Sequence, residues 1–292
     1  MIIHISAQVL GLVLIVASTA SAQGEPCGAS PYLGQAAPGQ TPVAFAPGLV
    51  STPGYEYSGV FSPDMSEFYF IRGTDTGSGQ EFVVVSQEQG CWQETVLSER
   101  VGQPFVSPDG ETLHLGARYM NRAGSGWSQI ASLPPEFQAY DIMRLTSSNH
   151  GTYVFDEIGM PGGDGVLRSS RLHGDVRLPA QALPPQINAG LFNAHPFIAP
   201  DESFILWDGR REEGQGSSDI YVSFRRADGE WGEALNLGGR VNTEAWEASA
   251  TVSPDGRYLF FNRMISESEE GALPDVDIMW VDAQVLYDLR PE

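Results

Sequence analysis

The 292-residue chain carries 37 acidic and 16 basic residues, a formal net charge of −21 at pH 7. This charge argues against nucleic acids and anionic lipid surfaces as partners, because both are bound through an excess of positive charge. Glycine (33 residues) and proline (20 residues) are abundant, and hydrophobic residues make up 41% of the chain. Such a composition favours many short elements joined by turns and disfavours a helical bundle.

The first predicted element is a secretory signal peptide over residues 1–22. An apolar run over residues 9–17 precedes Ala-Ser-Ala at positions 20–22, a cleavage site of the small-x-small type. The run is shorter than the roughly 20 apolar residues of a membrane span, and no other stretch of the sequence is suited to cross a bilayer. We therefore expect a periplasmic or secreted protein with no membrane span after cleavage.

An N-terminal arm over residues 23–40 follows the signal peptide and contains one of the two cysteines. An exported chain meets an oxidising compartment, in which Cys27 and Cys91 could form a disulfide that ties the arm to the first repeat. The alternative is two unpaired thiols. Two cysteines alone do not make a structural zinc site, and we expect no metal centre of that type.

From residue 41 onward the sequence repeats a unit of an apolar strand, a tight turn and a second apolar strand. The clearest turn is Ser-Pro-Asp-Gly, in which Pro presets φ, Asp can bond the backbone just beyond it and Gly accepts a positive φ. A Gly-x-Trp marker follows in most units and introduces an outer strand. Each unit then has four short strands, which is typical of a propeller blade. The five turns lie at Pro63, Pro108, Asn149 (a degenerate copy), Pro200 and Pro254.

The fifth unit lacks its outer strand, since the chain runs from the apolar strand over 277–281 into a short predicted helix over 282–289. Residues 41–52 parallel residues 234–243, which close the fourth unit. We predict an all-β, single-domain propeller over residues 41–292, most simply with five blades of four antiparallel strands. Residues 41–52 would pair in the last blade and close the ring, because an open ring leaves strand edges unpaired.

The repeats resemble the TolB-like, WD-like propeller repeats of bacterial exported proteins. The matching text is the Ser-Pro-Asp-Gly turn with its aromatic-apolar strand, Asp-Ile-Tyr-Val-Ser over 219–223, Trp231, and Leu-Asn-Leu-Gly over 235–238. The resemblance covers about residues 41–292 and implies a periplasmic or secreted protein, in many cases a protein-interaction module. It specifies architecture better than function, because one fold hosts many activities.

The innermost strand of each propeller blade lines a central channel, and alignment of the turns places several polar residues there. Three carboxylates among them, Glu56, Asp141 and Glu247, could act as the acid, base and orienting groups of a glycosidase or hold Ca²⁺. The alternative is that these carboxylates have no catalytic or metal-binding role and line a solvated acidic channel in a protein that is acidic throughout. The predicted channel-lining residues are Glu56, Ser58, Gln103, Asp141, Arg144, Asn193, His195 and Glu247.

Arginines recur near the end of the second strand of the units, and aspartates recur at the start of the third. Neighbouring antiparallel strands would bring such residues together, so we predict structural Arg–carboxylate pairs within the blades. The alternative is a ring of arginines that receives anionic ligands. The residues assigned to these pairs are Arg72, Arg210, Arg263, Asp219 and Asp277.

Several chemistries are disfavoured by the sequence as a whole. It contains no lysine, no pair of histidines at metal-ligand spacing in the mature chain, and no Gly-x-Ser-x-Gly nucleophile elbow. We expect a monomeric, non-enzymatic binding or scaffold module of the cell envelope, with a protein or glycan partner and with Ca²⁺ as the one cofactor left open. The alternative is a carbohydrate-active hydrolase or lyase with carboxylates at the channel mouth.

Overall fold

The computed structural model describes residues 31–74, 79–159, 165–268 and 271–291. Nearly all regular elements in these residues are β-strands, and they form five successive antiparallel sheets. The sheets are the five blades of a β-propeller, which confirms the predicted fold. The predicted signal peptide over 1–22 and Cys27 lie outside the described residues. Within the described ranges, no helix is long and apolar enough to cross a membrane.

The first two blades follow a 3₁₀ turn (Tyr32–Gly34) and a short strand β1 (Val43–Ala44). In blades 1 to 4 the strands run from the centre of the ring outward in chain order. Blade 1 consists of β2 (Glu56–Phe61), β3 (Glu67–Gly73), β4 (Gln80–Glu88) and β5 (Cys91–Glu99). Blade 2 consists of β6 (Pro104–Val106), β7 (Thr112–Leu115), β8 (Arg118–Ala123) and β10 (Ala131–Ser132), with β9 (Gly126–Trp127) paired to β8.

The last three blades begin after a second 3₁₀ turn (Pro135–Phe137) and end in the helix α1 (Gln284–Tyr287). Blade 3 consists of β11 (Leu145–Ser147), β12 (Tyr153–Glu157), β13 (Val166–Ser170) and β16 (Gln181–Ala182), with a side hairpin of β14 (Leu172–His173) and β15 (Val176–Arg177). Blade 4 consists of β17 (Phe192–Ile198), β18 (Phe204–Arg210), β19 (Asp219–Phe224) and β20 (Leu235–Asn236). Blade 5 consists of β21 (Glu247–Val252), β22 (Tyr258–Ser266), β23 (Asp275–Asp282) and β1.

The N-terminal segment closes the ring as the sequence predicts. Val43 pairs with Trp280 and Ala44 with Met279, so β1 is the outer strand of the last blade. The paired strand is only two residues long, shorter than the predicted segment 41–52. Phe45 follows it and is fully buried. Its ring centroid lies 4.9–5.9 Å from those of four aromatic side chains of blades 1 and 5, which are Phe61, Phe68, Phe260 and Trp280.

All five turns between the first and second strands share one backbone conformation. The N–H of the fourth residue donates to the carbonyl of the first over 2.8–3.0 Å, and the fourth residue has a positive φ. Glycine adopts this conformation at no steric cost, yet two turns place a larger residue there. The five turns define one face of the ring, here called the turn face, and the opposite face is the loop face. The fourth residues are Met65, Gly110, Gly151, Glu202 and Gly256.

Candidate functional site

Three inner strands bulge at the centre of the ring, and each bulge is tied to the preceding blade. The bulged residues Ser58, His195 and Ser249 have φ values of +59°, +49° and +53°, a strained conformation that surrounding contacts must hold in place. Each donates its backbone N–H to a side chain on the second strand of the blade before it. The acceptors are Asn262 for Ser58 (2.9 Å), Asp156 for His195 (3.0 Å) and Asp208 for Ser249 (2.9 Å).

A hydrogen-bonded chain of buried side chains crosses the centre between blades 4, 5 and 1. His195 Nδ1 lies 2.9 Å from Asp208 Oδ1, and His195 Nε2 lies 3.2 Å from the Tyr57 hydroxyl. The Ser249 hydroxyl donates to Tyr57 Oη over 2.9 Å and also lies 3.3 Å from Gln103 Oε1. All five residues are buried. This network is called the polar plug below. It links neighbouring blades, because its members form their hydrogen bonds with one another inside the protein.

Arg144 lies in the same region, immediately before β11, and is fully buried. Its three guanidinium nitrogens have no hydrogen-bond partner in the described part of the chain. Burial lowers its pKa to about 10, and the nearby Tyr57, Asp208 and Asp156 oppose that shift. The guanidinium is thus a countercharge to two buried carboxylates, held by long-range attraction rather than by direct bonds.

The predicted carboxylates Glu56 and Glu247 do not point into an open channel. Each accepts the N–H and the hydroxyl of the threonine four residues earlier: Thr52 at 3.0 and 2.7 Å for Glu56, Thr243 at 2.9 and 2.6 Å for Glu247. Both glutamates are fully buried. They anchor the loops that lead into β2 and β21, so their position reflects a structural role in the repeat.

Glu56 and Glu247 differ in their basic partner. Arg263 lies opposite Glu247 in the ladder and donates to it over 2.8 Å. Arg72 lies opposite Glu56 in the same register, but its guanidinium turns outward to Glu81 and Glu94. Burial raises the pKa of Glu56 to about 7, hydrogen bonds from Thr52 oppose this shift, and nearby carboxylates add to it. Glu56 therefore holds a proton close to neutral pH.

The structure corrects the placement of Asp141 and accounts for the other predicted channel residues. Asp141 is exposed and lies four positions before β11, so it is not on an inner strand. The degenerate third unit has a short inner strand, which is why the alignment extended it too far. Asn193 is bound to Trp207 Nε1 (3.1 Å) and to the Ala189 carbonyl (3.1 Å). Ser58 and Gln103 face each other at 3.5 Å at the centre.

The predicted Arg–Asp pairs form with other partners. Arg72 and Arg263 do make ion pairs within their blades, but with glutamates and not with the predicted aspartates. Asp219 instead accepts backbone N–H groups of its own loop, at 2.7 and 2.9 Å, and Arg210 is exposed. Asp277 lies opposite Arg263 in the ladder, but the nearer Glu247 takes the guanidinium. Strand register alone therefore does not determine which carboxylate forms an ion pair with an arginine.

Two further sequence predictions stay predictions. The disulfide depends on Cys27, which lies outside the described residues, while Cys91 begins β5. For Ca²⁺, the described ranges contain no cluster of three His, Cys, Asp or Glu side chains placed to hold a metal ion.

Sequence reasoning missed Asp156 and Asp208, the carboxylates that fasten the central bulges. Each ends an apolar run on a second strand, Val-Phe-Asp over 154–156 and Leu-Trp-Asp over 206–208, and Asn262 holds the same position in blade 5. A polar residue thus recurs at one position of otherwise apolar strands in three blades. Because an unpaired buried carboxylate is costly, this recurrence could have predicted that these residues have buried partners.

An apolar cavity with lining residues from every blade lies on the turn face. It has a volume of about 500 Å³ and opens at the centre of the five turns. Phe105, Phe197 and Val252 are among the side chains of its wall, and Arg290 from the C-terminal segment lies at its edge. This cavity is called the funnel below. The second residue of every turn is among its lining residues: Pro63, Pro108, Asn149, Pro200 and Pro254.

Exposed aspartates lie around the funnel. Four of the five turns carry an exposed Asp, here called the turn aspartates: Asp64, Asp109, Asp201 and Asp255. Burial alone would raise the pKa values of Asp64, Asp109 and Asp201. Hydrogen bonds from serine hydroxyls and backbone N–H groups outweigh it and hold these pKa values below the ordinary range. These three carboxylates are therefore charged at neutral pH.

A groove of about 330 Å³ opens off the funnel between the turns of blades 1 and 2. Pro63 lines both cavities, so the two adjoin. Asp64, Asp109 and Glu111 line the groove. Among the described residues of its lining, Arg122 is the only base, and it is paired with Glu67 at 2.8 Å. The groove therefore presents unpaired negative charge next to an apolar cavity.

The known proteins that the chain matches are solved structures. No protein-family model and no curated protein matches the chain. Among solved structures, TolB from Acinetobacter baumannii is 13% identical with a TM-score of 0.47; the match covers 80% of this chain and 58% of TolB, so the chain spans somewhat over half of that protein. The catalytic domain of the Coprinopsis cinerea GH62 alpha-L-arabinofuranosidase is 8% identical, with a TM-score of 0.49 and coverage of 83% and 97%. Alpha-L-arabinofuranosidase from Lactobacillus brevis is 9% identical, with a TM-score of 0.47 and coverage of 76% and 89%.

Proposed function

We propose that the protein is an exported, TolB-like binding module of the cell envelope that holds a protein partner at its turn face as a monomer. The funnel carries this proposal. It is concave, largely apolar and centred where all five blades meet, and such cavities on a rigid scaffold are typical binding sites. The polar plug behind it favours a docking surface over a through-channel.

The positions and contacts of the three predicted carboxylates also support a binding role. Glu56 and Glu247 are engaged by threonines, and Asp141 is exposed away from the inner strands. A glycosidase needs two carboxyl groups that converge beside an open pocket. Because threonines hold Glu56 and Glu247 and Asp141 lies off the inner strands, we favour a binding role over a hydrolase.

Site-specific photocrosslinking in cells tests the proposal. A benzophenone side chain at Val252, in the funnel wall, should give a discrete protein adduct. The same group at Val176, which is 64% exposed on the side hairpin of blade 3, should not. The Val252 adduct should also disappear when Ser203→Trp fills the funnel. No adduct from the funnel, or the same adducts from both positions, would contradict the proposal.

A second candidate function is a carbohydrate-active hydrolase that uses Glu56. A carboxylic acid that keeps its proton near neutral pH can act as a general acid. Glu56 also borders a loop-face cavity of about 680 Å³ with Tyr55, Arg72 and Glu81. Because Glu56 itself is fully buried, substrate access would require movement of residues 52–54. Hydrolysis of aryl glycosides that is lost in Glu56→Gln and retained in Glu247→Gln would support this candidate.

A further inference from the structure

We propose that the partner held at the turn face is a cationic, extended polypeptide segment. One bulky apolar side chain would fill the funnel, and a Lys or Arg two residues away would lie in the groove between the first two turns. This inference rests on the proposed function and specifies the chemistry of its partner.

The apolar part follows from the shape and lining of the funnel. Its volume of about 500 Å³ exceeds that of a single aromatic or branched side chain, and phenylalanines and valines form its wall. Burial of one such side chain would tighten binding about 10- to 150-fold. A single anchor of this size surrounded by a polar rim is the usual composition of an interface centre.

The cationic part follows from the charges in the groove beside the funnel. Asp64, Asp109 and Glu111 line this groove, whereas Asp201 in the funnel itself has Arg290 as a nearby countercharge. Within the turns, the hydrogen bonds to Asp64 and Asp109 all go to Oδ1. The second oxygen of each carboxylate is thus left for a partner. A basic side chain is the group that complements these oxygens, and the net charge of −21 favours its approach.

The geometry sets the spacing between anchor and charge. Because Pro63 lines both cavities, the groove begins at the edge of the funnel, close to the anchor. Side chains of an extended segment alternate between two faces, so residues two apart, about 6.6 Å along the chain, point the same way. A Phe with one Lys two residues before it and another two residues after it therefore matches the surface whichever way the segment runs.

Ligand-observed NMR with three short peptides tests the inference. They are named Lys-Phe-Lys, Glu-Phe-Glu and Lys-Ser-Lys after three residues that single glycines separate and flank, and they are titrated into the mature protein. We expect the Lys-Phe-Lys peptide to bind most tightly and its affinity to fall with added salt. The double variant Asp64→Asn/Asp109→Asn should weaken the binding of this peptide about 2- to 30-fold. This range corresponds to the loss of two exposed ion pairs of about 0.2–1 kcal/mol each.

The control for net charge is Asp175→Asn/Asp228→Asn, which removes two exposed carboxylates outside the funnel and groove. Its affinity for the Lys-Phe-Lys peptide should equal that of the wild type. If Glu-Phe-Glu binds as tightly as Lys-Phe-Lys, or if both double variants weaken binding equally, the cationic inference is wrong while the funnel remains a binding site. If no peptide binds, the inference is wrong, and the crosslinking result then decides the proposed function separately.

Discussion

Aspartates occur at two fixed positions of the repeat, and their surroundings give them opposite properties. At the centre of the ring, Asp156 accepts three backbone N–H groups, and burial nevertheless raises its pKa. At the turn face, hydrogen bonds outweigh burial and lower the pKa values of Asp64 and Asp109. The central carboxylates hold the blades together, whereas Asp64 and Asp109 are charged and each leaves one oxygen for a partner. Residue type and repeat position alone do not distinguish a structural carboxylate from a binding one.

The largest effect should come from removing a central carboxylate. Asp208→Ala leaves the N–H of Ser249 and the imidazole of His195 without their acceptor. A buried donor left without its acceptor costs about 1–3 kcal/mol, so the two donors together cost roughly 2–6 kcal/mol. Chemical denaturation should show a decrease of this size in the free energy of unfolding. A decrease below about 1 kcal/mol would mean that the central network does not hold the blades together.

The next effect concerns pH and distinguishes the two buried glutamates. The pKa of Glu56 is raised to about 7 in the folded protein, so the folded state holds a proton that the unfolded chain releases near its ordinary pKa. The resulting stabilisation is present at low pH and is lost as pH rises toward and through 7.

Between pH 5 and pH 8 this loss should be on the order of 2 kcal/mol, and it should be absent in Glu56→Gln. The matched control is Glu247→Gln, since Glu247 has Arg263 as partner; this variant should keep the pH dependence of the wild type. Denaturation curves at the two pH values measure the difference. Equal pH dependence in wild type and Glu56→Gln would contradict the account of this site.

The smallest effect on stability is expected at the turn aspartates. Asn retains the side-chain oxygen that accepts the N–H two residues on, so Asp64→Asn/Asp109→Asn should change the free energy of unfolding by no more than about 0.5 kcal/mol. The same denaturation assay applies. A loss comparable to that of Asp208→Ala would show that the turn carboxylates are structural, and the contrast between the two positions would fail.

The sequence predicted the ring and its closure well, because both leave repeated local signals. The Ser-Pro-Asp-Gly turns and the likeness of residues 41–52 to 234–243 led to the five blades and to β1. The centre was predicted less well. The bond from Ser249 to Asp208 joins neighbouring blades, and no spacing along the chain encodes such a contact. Arg72 and Arg263 occupy equivalent positions in their blades but pair with carboxylates at different positions. The pairing depends on side-chain packing, which differs between the repeats.

The central claim is that the apolar funnel with its acidic rim binds the partner. The most direct test is the dissociation constant of the Lys-Phe-Lys peptide for wild type and for Ser203→Trp, which places an indole in the funnel wall. The account predicts at least a tenfold weaker affinity in the variant, about 1.4 kcal/mol, with an unchanged melting temperature. Equal affinity in the two proteins would contradict it.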